Sequence, residues 1–156
     1  MLRLIEPVNT HMYVTQAAGS APIVNAFKAS SQHVHPVKPD TVVGSIAIGN
    51  PADGFYALRI VRQSGGGACA VSDEEAIAGM RLLAETEGIF AEPTGGVVIS
   101  SLKKLVASDA IKKNELTVAF ITGAGPRAQE ILADAVQPFT IQPNIKSLEE
   151  VLGVAA

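Results

Sequence analysis

The sequence predicts an α/β fold of three layers, with a mostly parallel sheet and helices on both faces. Short segments rich in strand-forming residues alternate with amphipathic helical segments, which is typical of parallel strands joined by crossover helices. Residues 117–121 (TVAFI) form a continuous apolar run, as expected for a central strand that is covered on both faces. The preceding helical segment, residues 97–106, is apolar on most of its first two turns, which indicates a buried helix.

The composition fits one globular domain, or one piece of a larger protein. The chain has 156 residues, of which 47% are hydrophobic. Charged residues make up 17% and the formal net charge is −3, which argues against a disordered chain and against a basic nucleic-acid binder. No apolar run approaches the ~20 residues of a membrane helix, and no secretory signal is visible. A single cysteine, Cys69, excludes an internal disulfide, so we expect the reducing cytoplasm as the location. From the short apolar runs we expect no binding to membranes.

The first predicted strand covers residues 12–16, which alternate with β-branched and aromatic character. A turn of small residues follows it: Ala17, Ala18 and Gly19. Ser20 is the expected N-cap of a helix in which Pro22 lies just inside the start and which ends near Ser30. The next ten residues, 31–40, contain two prolines and are predicted to form a loop.

A second helix is predicted to begin at Asn50 and Pro51 and to run to about Gln63. Its apolar edge would consist of Phe55, Leu58 and Val61. The three glycines at 65–67 stop this helix, and residues 68–71 form a short strand.

The third helix has the clearest signals, because Ser72 and Glu75 form a capping box and Gly88 can end the helix. Its apolar positions are Ile77, Met80, Leu83 and Ala84. We expect residues 89–96 to turn the chain, so that the buried helix begins at Val97. We assign residues 1–135 to the main fold and 136–156 to a proline-containing tail, whose short terminal helix Ser147 and Glu150 could cap.

Three loops are candidates for a binding site, because ligands in open α/β sheets bind at the carboxyl ends of strands. They are residues 17–19, 92–96 and 122–125. Glycines in the last two would let a flat ligand approach the backbone, and Thr94 and Thr122 offer hydroxyl groups. Local pattern alone favours the alternative that all three are ordinary turns with caps.

Other motifs have weaker support. Residues 123–128 match the G-x-G-x-x-A dinucleotide fingerprint, but Pro126 removes a backbone N–H that should face the pyrophosphate. His33 and His35 lack further metal ligands at a recognisable spacing, so a solvated loop is the better interpretation. Cys69 lies in a short apolar strand and is interpreted as a small buried side chain.

Four segments taken together resemble the C-terminal half of the threonine synthase family, pyridoxal-phosphate enzymes of the tryptophan-synthase β-like (type II) fold. They are QAAGSAPIVNAF, TVVGSIAIGNPADGFYAL, AVSDEEAIAGMRLLAETEGIFAEPTGGV and VAFITGAG, which run in one order from about Tyr13 to Thr122. Related lyases such as threonine dehydratase share the fold but match the segment Gly49-Asn50-Pro51 less well.

The resemblance implies conversion of O-phosphohomoserine and water to threonine and phosphate, with pyridoxal phosphate as the cofactor. It implies that the hydroxyl of Thr122 faces the pyridine nitrogen. It also implies that the cofactor lies near Gly123 and near a group formed by Glu92, Thr94, Gly95 and Gly96. Residues Ala17, Ala18 and Gly19 would border the ring on another side.

The family's Schiff-base lysine has no counterpart in this sequence, so the resemblance implies no catalytic residue here. The seven lysines present stand in unrelated surroundings: Lys28, Lys38, Lys103, Lys104, Lys112, Lys113 and Lys146. We therefore expect the chain to be inactive alone and to work with a lysine-bearing N-terminal half or as a homo-oligomer. The family's T-G-N-G-L-K pattern is also altered at Ala124 and at Pro126-Arg127, which leaves open a non-catalytic binding or regulatory module.

Overall fold

The computed structural model describes residues 9–126 and 139–153. In chain order its elements are β1 (Val14–Ala17), α1 (Pro22–Lys28), α2 (Gly54–Gln63), β2 (Ala68–Val71), α3 (Asp73–Glu87), α4 (Pro93–Ala107) and α5 (Ile145–Leu152). Two short 3-10 turns lie at Ala18–Ser20 and Gly44–Ile46. Arg127 and the expected boundary between residues 135 and 136 lie outside the described residues.

The two strands pair in parallel, with Val14 opposite Ala68 and Ala17 opposite Val71. Both strands therefore end at the same edge of the sheet. Side chains alternate between the two faces of a strand, and each face packs against different helices. One face contributes Ala17, Cys69 and Val71 to a cluster with α3 and α4, and Val14 on the other face packs against α1 and α2. The predicted α/β fold, with a parallel sheet between two helical layers, is confirmed for this part of the chain.

The prediction of a central buried strand at residues 117–121 is wrong for the described structure. Neither β1 nor β2 pairs with the segment, and Val118 and Phe120 are both 71% exposed. An apolar run is buried on both faces only where neighbouring strands and helices are available to cover it. The described residues supply a two-stranded sheet elsewhere, so the run lies at the surface.

The starts of helices α1, α2 and α4 differ from the prediction. Ser20 is buried but does not cap α1; instead the Gln16 side-chain oxygen accepts hydrogen bonds from the Ile23 and Val24 amides, both at 3.0 Å. Asn50 and Pro51 form a turn before α2, whose first helical residue is Gly54.

The helix α4 begins at Pro93, four residues before the predicted start, so residues 93–96 belong to its first turn and are not a loop. A proline suits this position, because its missing N–H would have no partner in the first turn. Gly95 and Gly96 are weak helix formers, but α3 and α4 pack too closely for side chains at Gly79 and Gly96. Tertiary packing therefore overrides their local propensity.

Other local predictions are confirmed. Ser72 and Glu75 form both hydrogen bonds of the capping box of α3, and Gly88 ends this helix with a positive φ of 67°. Leu58 and Val61 on α2 are buried, whereas Phe55 is 52% exposed, so the predicted apolar edge of α2 is only partly correct. The short terminal helix α5 is present, although its N-cap is Asn144. Within the two described ranges, no helix has the length and apolar character needed to cross a membrane.

Candidate functional site

The shared carboxyl edge of β1 and β2 is where the first predicted site segment lies. Ala17 is the last residue of β1 and is fully buried, whereas Ala18 is exposed and begins the 3-10 turn. The Gly19 carbonyl accepts a hydrogen bond from the Asp40 amide at 2.9 Å, and this contact leaves no space for a side chain at Gly19. Ser20 is fully buried, and its hydroxyl has no hydrogen-bond partner among residues 9–126 and 139–153.

Glu92 is the second predicted site residue, and its carboxylate is held at the beginning of α4. It occupies the N-cap position and is only 5% exposed, which makes it the one buried charged residue in the described ranges. The Ser45 hydroxyl donates a hydrogen bond of 2.8 Å to Glu92 Oε2. A buried carboxylate needs such partners, because its transfer from water is otherwise costly.

A short antiparallel contact joins the segment around Glu92 to the segment around Gly123. The Glu92 amide donates to the Gly123 carbonyl at 3.0 Å, and the Gly125 amide donates to the Phe90 carbonyl at 2.9 Å. A Cβ atom at Gly123 would lie 2.5 Å from Glu92 Cγ and nearer still to its carboxylate. Residue 123 must therefore be glycine for the two segments to approach in this way.

Thr122 directly precedes this contact and is exposed. The structure thus brings together Glu92, Gly123 and Thr122, three residues that the resemblance assigned to one site. Their separation in sequence, about thirty residues, is bridged by the pairing of two backbone segments rather than by neighbouring strands of a sheet.

The first turn of α4 contains the remaining predicted residues, with different surroundings. The Thr94 hydroxyl is buried and has no hydrogen-bond partner in the part of the chain that the structure describes. The Gly95 amide donates to the Glu92 carbonyl at 2.9 Å, and a side chain at 95 would meet Ala91 and Ile121. Gly96 faces the backbone of α3, so helix packing accounts for a glycine there. Roles of these three residues at a cofactor stay predictions.

Sequence reasoning missed the segment that links these parts, residues 40–46. The Asp73 carboxylate, at the start of α3, accepts hydrogen bonds from the Thr41 hydroxyl and from the Val42 amide, the latter at 2.9 Å. The same segment reaches Gly19 through Asp40 and Glu92 through Ser45. Asp73 had a signal, since acidic residues favour the first turn of a helix, but Ser45 is an isolated serine in a loop.

This arrangement fits one wall of a site for a flat aromatic ligand. It combines an exposed threonine, Thr122, with a buried hydroxyl at Thr94 that has no hydrogen-bond partner within the described residues. Within the described residues there is no cluster of three or more His, Cys, Asp or Glu side chains that could bind a metal ion. His33 and His35 are exposed on their loop.

Comparison with known proteins identifies relatives for most of the chain. Threonine synthase from Methanocaldococcus jannaschii is 38% identical over 139 residues, which are 88% of this chain and 34% of the relative. Threonine synthase from Methanosarcina acetivorans is 37% identical with the same coverage. For the enzyme from Bacillus sp. (strain ULM1), identity is 41% over 78% of this chain and 33% of the relative. The chain thus spans about one third of the length of these relatives.

The fold has a counterpart among solved structures. The crystal structure of T.th. threonine deaminase superposes with a TM-score of 0.51 and 18% identity, covering 63% of this chain and 35% of that one. At this identity the likeness concerns the fold alone. A family model described as pyridoxal-phosphate dependent enzyme matches residues 2–123, which is most of the chain. On this match and the identity to the threonine synthases, the chain belongs to the pyridoxal-phosphate dependent enzyme family.

Proposed function

We propose that this chain forms one wall of the cofactor site in a threonine synthase-like lyase, which converts O-phosphohomoserine and water to threonine and phosphate. The main support is the contact between Glu92 and Gly123, because it places Thr122, an exposed residue, next to the segment that begins α4. The threonine synthases of similar sequence support the same reaction.

The residues of this chain would bind and orient the cofactor. Bound pyridoxal phosphate supplies an electron sink for the carbanions of the substrate. The Thr122 hydroxyl would hydrogen-bond the pyridine nitrogen and, unlike a carboxylate, would not hold it protonated. Gly123 would border the ring through its backbone, while the space at its missing Cβ is filled by the Glu92 side chain, and Thr94 would offer a polar atom that has no partner within the described residues.

A second chain or segment that bears the lysine would complete this site. The stretch leading into Thr122 exposes Leu116, Val118 and Phe120 by 97%, 71% and 71%. Exposed apolar patches of this kind mark interaction sites, and an unpaired extended segment can add a strand to a sheet. We infer that the lysine-bearing half covers this strip; a homo-oligomer is the alternative occupant.

Reconstitution tests the proposal directly. The 156-residue chain would be mixed with the lysine-bearing part of the M. jannaschii threonine synthase, a 38% identical relative. We expect cofactor absorbance and phosphate release from O-phosphohomoserine only in the mixture. Light scattering on the separate and mixed samples would report complex formation or self-association. Phosphate release by the isolated chain would contradict the need for a second part.

Two variants then test the role of Thr122. Thr122→Val removes the hydroxyl while retaining the shape, and it should weaken cofactor absorbance and turnover about tenfold or more. Thr117→Val is the matched control, since Thr117 is an exposed threonine of the same extended segment. Equal behaviour of the two variants would contradict the assignment of Thr122. Assaying threonine as a substrate in parallel would separate threonine dehydratase-like activity from the proposed reaction.

A non-catalytic binding module is the second candidate. It is favoured by Ala124 and Pro126, which replace residues of the family's T-G-N-G-L-K pattern. This candidate predicts a complex that binds pyridoxal phosphate but releases no phosphate from O-phosphohomoserine.

A further inference from the structure

The Glu92 side chain is held from one side of the site by a hydrogen bond. Glu92 is 5% exposed, and within the described residues the side chain that donates to its carboxyl group is Ser45, at 2.8 Å. A buried polar group that loses its hydrogen-bond partner bears its full desolvation penalty. The single serine hydroxyl is therefore important for keeping the Glu92 side chain in its buried position.

That position matters because the other side of the carboxyl group touches Gly123. Oε2 accepts from Ser45, while a Cβ at Gly123 would collide first with Oε1. The Glu92 amide also donates to the Gly123 carbonyl. Ser45 and Gly123 thus enclose the Glu92 side chain, and movement of this side chain would disturb the segment that carries Thr122.

Ser45 lies in the segment 40–46, which is held in place by hydrogen bonds of its first residues. The Asp73 carboxylate binds Thr41 and the Val42 amide, and the Asp40 amide binds the Gly19 carbonyl. One loop consequently joins the carboxyl edge of the sheet to the beginning of α4, which are the two predicted borders of the cofactor.

We propose that Ser45 is a positioning residue of this site: its hydroxyl keeps Glu92 against Gly123 and thereby fixes the segment that presents Thr122. The assignment to a cofactor rests on the function proposed above. The positioning itself is a property of the chain and can be measured without cofactor.

Amide hydrogen exchange in the full chain measures the positioning. The reporters are the amides of Glu92 and Gly125, whose hydrogen bonds pair the two segments, with exchange rates divided by that of the Met80 amide in α3. Ser45→Ala should speed relative exchange of both reporters about tenfold, the typical effect of leaving a buried polar group without its hydrogen-bond partner. Ser45→Thr keeps the hydroxyl and should restore slow exchange. The matched control is Ser108→Ala, at the distant end of α4.

Unchanged relative exchange in Ser45→Ala would overturn the proposal. A uniform acceleration that includes Met80 would also overturn it, since Ser45 would then stabilise the whole fold rather than this contact. Ser45 is exposed, so its truncation leaves no cavity in the core, but it removes the donor to the buried Glu92 side chain. Dividing by the Met80 rate separates this local effect from any accompanying fall in overall stability.

A double-mutant cycle in the reconstituted complex connects the positioning to the cofactor. If Ser45 acts through Thr122, Ser45→Ala should weaken retention of pyridoxal phosphate strongly in the wild type and little in the Thr122→Val background. Additive effects of the two substitutions would contradict this route. If the wild-type complex retains no cofactor, the proposed function fails, while the exchange experiment still decides whether Ser45 positions Glu92.

Discussion

Replacing Gly96 with alanine would force α3 and α4 apart. A Cβ at residue 96 would lie 2.9 Å from the Met80 amide nitrogen and closer to the Ala76 carbonyl oxygen, whereas ordinary contacts begin at about 3.4 Å. Both neighbours are backbone atoms of α3, so no side chain can rotate away. Relief of the contact with the Ala76 carbonyl oxygen therefore requires the two helices to separate by about 1 Å or more.

The expected loss of stability is about 2 kcal/mol. Overpacking a well-packed interior costs about 1–3 kcal/mol, and the upper end applies here because the obstacle is backbone. Alanine is also a better helix former than glycine by about 1 kcal/mol, which offsets part of this cost. The two effects have opposite signs, so the sign of the result is diagnostic. Without the close approach of α3, the substitution would stabilise the protein.

Urea unfolding of the full chain, followed by far-ultraviolet circular dichroism, measures this difference. Gly44→Ala is the matched control, because a Cβ at Gly44 meets nothing within 4 Å, and its free energy of unfolding should change by less than about 1 kcal/mol. A Gly96→Ala protein that is as stable as the wild type, or more stable, would refute the close helix contact.

Three further predictions concern local hydrogen bonds. Gln16→Ala removes the acceptor for two first-turn amides of α1 and should lower the free energy of unfolding by about 1 kcal/mol; an unchanged urea midpoint would argue against this cap. Ser72→Ala should lower the free energy of unfolding by a similar amount, because it removes one of the two hydrogen bonds of the capping box of α3. Unchanged amide exchange at the start of α3 would count against this prediction. Hydrogen bonds from the Lys104 side chain and the Ser72 amide lower the pKa of Glu75. The ionised Glu75 therefore stabilises the fold at pH values above its ordinary pKa. This contribution is lost as the pH falls through the lowered pKa of the folded state. Glu75→Gln should therefore be less stable than the wild type at neutral pH and approach it in acid, and a difference that is the same at all pH values would contradict the ion pair's role.

Much of the local structure was predictable because it depends on neighbours in sequence. The capping box at Ser72 and the left-handed end at Gly88 use only contacts within a few residues. The parallel arrangement also followed from alternating strands and helices, since a parallel pair needs a long crossover. The resemblance gathered Glu92, Thr122 and Gly123 into one site, and the structure brings these three together.

The parts that could not be predicted depend on distant partners. The cap of α1 comes from Gln16 on a strand, and the link between Gly19 and Glu92 comes from a loop in which Ser45 carries no pattern of its own. The early start of α4 reflects the close approach of α3, which makes glycine tolerable inside a helix.

The amino-acid order by itself determined the family, the alternation of strands and helices and the residue types at the site, because these depend on local propensity and on similarity along the chain. Only the tertiary structure decided whether the apolar segment 117–121 was buried. Hydrophobicity gives a segment the tendency to leave water, but burial requires another surface close enough to cover it. In the described structure Val118 and Phe120 meet no such surface, so an apolar run with the pattern of a core strand lies exposed beside Thr122.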